Sequence, residues 1–145
     1  MANSAPGGAD DYNTTIIEEF RANRGHVGGP WAGTPMILIH HIGARSGTER
    51  VTPLAYSAQG DDCIAIIASN GGSPNHPAWY HNLKANPVIT VEMGTRRFLA
   101  TAEEQTGPAR TELWSKLAAQ FANIDKFAAR TERTIPLFLL RPVGP

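Results

Sequence analysis

Met36-Ile37-Leu38-Ile39-His40-His41-Ile42-Gly43-Ala44-Arg45-Ser46-Gly47-Thr48-Glu49-Arg50-Val51-Thr52-Pro53-Leu54-Ala55-Tyr56-Ser57 decides the fold class. Met36 to Ile42 is a nearly continuous apolar run, short enough for a strand and buried on both faces. Arg50 to Ser57 reads as a second strand, with Arg50, Thr52, Leu54 and Tyr56 on one face. Pro53 removes a ladder donor there and predicts an edge or a bulge. Between the strands, Gly43 to Arg50 sets two glycines, a hydroxyl and two guanidinium groups in one turn. Such a turn serves equally as an ordinary charged hairpin or as an anion grip, with Ser46 donating and Arg45 and Arg50 forking onto phosphate.

Outward from that hairpin, Asn13 to Phe20 opens a helix, with Thr15 and Glu18 at capping-box spacing and Ile16, Ile17 and Phe20 as its apolar stripe. Cys63 to Ser69 is a third strand, leaving through Gly71-Gly72 into a short helix over Pro77 to Ala85. Val88 to Met93 and Arg96 to Ala102 form a hairpin around Gly94-Thr95. Pro108 to about Ala122 is helical through Leu113, Trp114, Leu117, Ala118 and Phe121, with a further turn over Ile124 to Arg130. Ile135 to Leu140 is the last strand. About six short strands without βαβ alternation predict an α+β fold, mainly β: a six-stranded antiparallel split β-barrel with peripheral helices.

Composition excludes several classes. At 145 residues the chain suits one domain, read as 12–145 behind a disordered tail over 1–11. Thirteen basic residues balance thirteen acidic ones, so no electrostatic footprint for nucleic acid is present. No apolar run suits a bilayer span and the start lacks a signal-peptide core, which predicts a cytoplasmic protein without integral membrane contact. A single cysteine, Cys63, leaves no internal disulfide or cysteine zinc site. His40 and His41 alternate across a strand, and His76 and His81 suit one helix face poorly, so no metal is expected. No Gly-Lys-Ser/Thr ending marks a Walker loop, and no Gly-x-Ser-x-Gly marks a nucleophile elbow.

Taken together, Gly43-x-Arg45-Ser46-Gly47-x-x-Arg50-x-x-Pro53-Leu54, Ala68-Ser69-x-Gly71-Gly72, His76-Pro77-x-Trp79-Tyr80-x-Asn82-Leu83-x-Ala85-Asn86-Pro87 and Arg133-Thr134-Ile135-Pro136 resemble the deazaflavin-dependent nitroreductase family. These are actinobacterial split β-barrel proteins that use the 8-hydroxy-5-deazaflavin coenzyme F(420). The likeness spans Tyr12 to Pro142. It implies that Arg45, Ser46 and Arg50 hold the cofactor phosphate with the Ala44 backbone, and that Val51, Thr52, Pro53, Leu54 and Ala55 line the groove. Ile67, Ala68, Ser69 and Asn70 would border the ring, while Ala78, Trp79, Tyr80, His81 and Asn82 close around it.

The likeness also implies hydride transfer to an electron-poor acceptor such as an enone, quinone, lactone or nitro compound. Ser69, with Tyr80 behind it, is the expected donor to charge developing on that acceptor, although a hydroxyl bonding its own turn reads equally well. Trp79, Phe121, Ile124 and Phe127 would form the substrate pocket. The family often carries a basic residue where Ala44 stands and a lysine where Asn70 stands, and its best-known nitroreductase has tyrosines where Phe121, Ile124 and Phe127 stand. A flavin mononucleotide (FMN) enzyme on the same barrel and a non-catalytic cofactor carrier are the alternative readings. A monomer or weak homodimer is the expected assembly.

Overall fold

The computed structural model describes residues 9–60, 63–121 and 123–143, with side chains described from Tyr12 onward. Strands β1 (Met36–Ile42) and β2 (Glu49–Ala55) form the first hairpin, followed by β3 (Ser57–Ala58) and β4 (Ile64–Ile67). After helix α2 (Ala78–Ala85) come β5 (Val88–Met93) and β6 (Arg96–Gln105). Helices α3 (Gly107–Gln120) and α4 (Ile124–Ala129) precede β7 (Leu137–Pro142), and α1 (Ala9–Ala22) leads the chain.

All strand pairs are antiparallel, in the order β2-β1-β5-β6-β7-β4-β3. β2 and β3 stand at opposite ends of that order yet are separated in sequence by Tyr56 alone, so the sheet curls back on itself as a half-barrel. The strands number seven, not six. The segment expected to be one strand divides at Tyr56: its N–H donates to Pro35 O at 3.1 Å, one step past the Met36–Ala55 pair, and the next residue, Ser57, pairs instead with Ala65 of β4. Pro53 lies opposite Leu38 on β2, an edge strand with one neighbour, where its missing donor costs nothing.

β1 is buried on both faces because each faces a different core. Ile37 and Ile39 enter the barrel interior with Ile64, Ile66, Val91, Phe138 and Leu140. Met36 and Leu38 face α1, against Ile16, Phe20 and Val27. Val51 and Ala55 join that second cluster, whereas Leu54 and Tyr56 pack into the first, as strand alternation requires. Trp79 and Leu83 seat α2 on the barrel interior, each worth about 2 kcal/mol of apolar burial. A third cluster, Leu113, Leu117 and Ile124 with Ala65 and Leu137, packs α3 and α4 on the outer face of β4 and β7.

α1 begins at Ala9, upstream of the expected start, so Thr15 lies inside the helix and is not its cap. Of the expected tail over 1–11, residues 1–8 lie outside the described residues and 9–11 belong to α1. Among the described residues no helix is long and apolar enough to cross a membrane.

Candidate active site

The β1–β2 turn is built from its own backbone. Gly43 N–H donates to Thr48 O at 2.9 Å and Gly47 N–H to Gly43 O at 3.0 Å. Gly47 adopts φ +70°, a left-handed conformation in which a side chain is strained. Gly43 is needed for another reason: a Cβ there would overlap the Ser46 hydroxyl, which accepts the Thr48 N–H at 3.2 Å. Arg45 and Arg50 are exposed, and neither belongs to any ion pair of the described residues.

α2 faces this turn. Its Asn82, only 6% exposed, accepts the Ala44 N–H on Oδ1 at 2.8 Å and places Nδ2 2.9 Å from His41 Nδ1. The other His41 nitrogen, Nε2, lies 2.8 Å from Thr52 Oγ1. Burial first, then the Arg50 guanidinium and His40, push the His41 pKa down to about 4, so the ring is neutral at physiological pH.

The loop entering α2 is tied by one residue. Arg133 donates from Nη2 to Ser69 O at 2.7 Å, from Nε to Ser73 O at 2.9 Å and from Nη1 to Ala68 O at 3.3 Å. The same Nη1 lies 3.0 Å from His76 Nδ1. His76 stacks on Tyr80 with centroids 4.3 Å apart, and its pKa is lowered by burial, then by Arg133 and His81.

These elements enclose a cleft of about 770 Å³, within the usual range for a ligand site. The turn contributes Ala44, Arg45, Ser46 and Arg50; Thr52 and His41 form its floor; Ala78, Trp79, His81 and Asn82 form the opposite wall. Asn13, Asn70 and His76 complete it, and among the described residues no Asp or Glu lines it. Arg45 and Arg50 therefore concentrate positive potential on this side of the cleft. A larger cleft of about 1100 Å³ lies between the end of α1 and the β5–β6 turn, but it contains Glu19 and lacks both arginines.

The F(420)H(2)-dependent quinone reductase family model matches residues 13–142 of this chain. The chain belongs to that family. An F(420)H(2)-dependent quinone reductase of Mycobacterium tuberculosis is 38% identical over 125 residues, 83% of each protein. A solved F(420)-H(2)-dependent reductase is 34% identical with a TM-score of 0.67, covering 74% of this chain and 94% of that one. A second solved structure, described only as a domain-swapped dimer, is 30% identical with a TM-score of 0.69, covering 92% of this chain and 100% of that one. This member is an oxidoreductase that takes its electrons from reduced coenzyme F(420).

The structure gathers Ala44, Arg45, Ser46, Arg50, Thr52, Asn70, Ala78, Trp79, His81 and Asn82 around the cleft. Val51, Pro53, Leu54, Ala55, Ile67, Ala68, Ser69 and Tyr80 do not line it. Val51 and Ala55 turn toward α1, and Tyr80 packs against His76 and Phe138. Ala44 offers no free amide in this state, because Asn82 already takes its N–H. The expected pocket divides: Trp79 lines the cleft, but Ile124 is 2% exposed within the third core cluster and Phe121 packs against it. Phe127 lies under the Arg130 guanidinium, 5.7 Å from its ring centroid. Asn13, His41 and His76 are cleft residues that the sequence reading did not assign to the site. Among the described residues no group of three His, Cys, Asp or Glu converges on a metal position.

Proposed function

We propose that the cleft between the β1–β2 turn and α2 holds coenzyme F(420) and that the enzyme reduces a quinone or a similarly electron-poor carbonyl acceptor. The cofactor supplies hydride when bound; the protein supplies grip, orientation and exclusion of water. The observation that carries this reading is the pair of unpaired guanidinium groups, Arg45 and Arg50, beside the Ser46 hydroxyl and opposite the Trp79 wall. That donor set fits a phosphate attached to a flat ring. Positions 44 and 70, alanine and asparagine, add no further cations for an anionic tail.

Ser69, next to the cleft residue Asn70, is the donor proposed for charge developing on the acceptor, with Tyr80 behind it. Arg133 fixes its backbone by binding Ser69 O. Trp79 is the proposed contact for the acceptor, and Phe127 on α4 its outer boundary. We read the curled sheet as a split barrel in which β2 and β3 act as one bent strand. The proposed setting is a cytoplasmic monomer or weak homodimer.

Titration with oxidised deazaflavin cofactor and, separately, with FMN, followed by tryptophan fluorescence, tests the site. Tight deazaflavin binding that weakens at least tenfold in Arg50→Ala is expected. Preference for FMN would overturn the deazaflavin reading, and indifference to Arg50→Ala would remove this cleft as the cofactor site.

A further inference from the structure

The polarity of the hydrogen-bonded chain behind the cleft follows from its first member. A backbone amide can only donate, so the atom of Asn82 facing Ala44 N–H is the carbonyl oxygen, and its amide nitrogen faces His41. That nitrogen is also only a donor, so His41 Nδ1 accepts and carries no proton. The ring proton of neutral His41 is therefore on Nε2, and it is donated to Thr52 Oγ1. With the opposite tautomer, Asn82 would have to reverse and set its NH2 against the Ala44 N–H. Thr52 Oγ1 accepts in this chain and has no other partner among the described residues, so its own proton is free. Thr52 is half-buried and shares the cleft-facing side of β2 with Arg50.

We propose that His41 is a positioning residue of the cleft: it locks Asn82 onto the β1–β2 turn and leaves the Thr52 hydroxyl as a directed donor to an oxygen of the bound ligand. The inference rests on the reading of this cleft as the cofactor site. A neutral ring suits the role, because an imidazolium would donate at both nitrogens and break the link to Asn82. Thr52 thereby becomes a fourth donor beside Arg45, Arg50 and Ser46, one that adds hydrogen bonding without adding charge.

Nitrogen-15 NMR of the His41 ring in the full chain tests the polarity without any variant. A neutral Nε2–H tautomer is expected, and an Nδ1–H tautomer would overturn the inference. Binding of oxidised deazaflavin tests the consequence: Thr52→Val is expected to weaken it about tenfold and Thr52→Ser to recover most of that loss. If His41 acts through Thr52, the losses in His41→Phe and Thr52→Val overlap in the double variant; additive losses would overturn its positioning role. Where His41→Phe does not fold, the tautomer and the two Thr52 variants decide. Unchanged binding in Thr52→Val, alongside weakened binding in Arg50→Ala, would overturn this inference alone. Failure of the wild type to bind deazaflavin would overturn it together with the cofactor reading.

Discussion

His40 and His41 are adjacent on β1, and the two faces of the strand give them different chemistry. His40 points to the α1 side, where Nε2 lies 2.6 Å from Glu92 Oε2. Glu92 also takes a two-pronged contact from Arg21 of α1, at 3.2 Å from Nε and 2.7 Å from Nη2. The Arg21 hydrogen bond first, then that of His40, outweigh burial and hold the Glu92 pKa down to about 2. His41 points the other way, toward Thr52 and Asn82, and no carboxylate of the described residues lines the cleft on that side. The α1 face thus neutralises its charges internally. The cleft face satisfies its buried groups with neutral partners, leaving Arg45 and Arg50 uncompensated for a ligand. On one side of a single strand a carboxylate docks a helix; on the other, neutral partners hold the histidine beside two arginines.

Acid should break both faces, in separable steps. The unfolded chain protonates His41 near its ordinary 6.5, but the folded protein does so only near 4. The unfolded state therefore binds more protons in that window, and stability falls as pH drops from 6.5 toward 4. Glu92 is protonated near 4.5 when unfolded and near 2 when folded, so its contribution is present above 4.5 and lost as pH falls toward 2. His41 alone should cost about 3 kcal/mol between pH 7 and pH 3, with a smaller, solvent-screened addition from Glu92, measured by urea unfolding. Flattening of the upper part of that slope in His41→Gln and of the lower part in Glu92→Gln would assign each step.

Asn82→Ala strands the Ala44 N–H and His41 Nδ1 at once. It should cost about 2.5 kcal/mol of stability and at least tenfold in cofactor affinity, by urea melts and fluorescence titration. Glu92→Ala, on the other face, should cost about 2 kcal/mol with affinity unchanged, since it removes the α1 clamp and nothing in the cleft. A change in affinity there would show that the two faces are coupled through β1. The smallest effect is expected at Lys84, at the end of α2, whose bond to Glu104 lies at the surface. Lys84→Ala should change stability by less than about 0.5 kcal/mol.

Much of this architecture was legible. Met36–Ile42 and Val88–Met93 match the strands read from apolar runs and turn residues, and Pro53 sits on an edge as its missing donor demanded. The break at Tyr56 was not legible, because it comes from the change of partner at Ser57, from β1 to Ala65 on β4, which only the curled sheet brings near. The motifs carrying Arg45, Ser46, Arg50 and Trp79 were legible, and the fold brings these four to one cleft, where their hold on a cofactor is the proposal. Ile124, expected in the pocket, is buried, and an apolar residue on a short helix serves a core or a ligand equally well in sequence. Its neighbours Leu117 and Leu137 decide for the core.

Sequence by itself determined the periodicities, the glycine turn, the charge balance and the order of motifs, because these depend on residue identity and on spacing along the chain. Tertiary structure alone decided the partners of His41, 11 residues from Thr52 and 41 from Asn82. It also brought Arg133 onto a loop that ends 57 residues before it, at His76. Hydrogen-bond polarity and the neutrality of a buried imidazole are properties of neighbours in space, and the folded sheet supplies those neighbours.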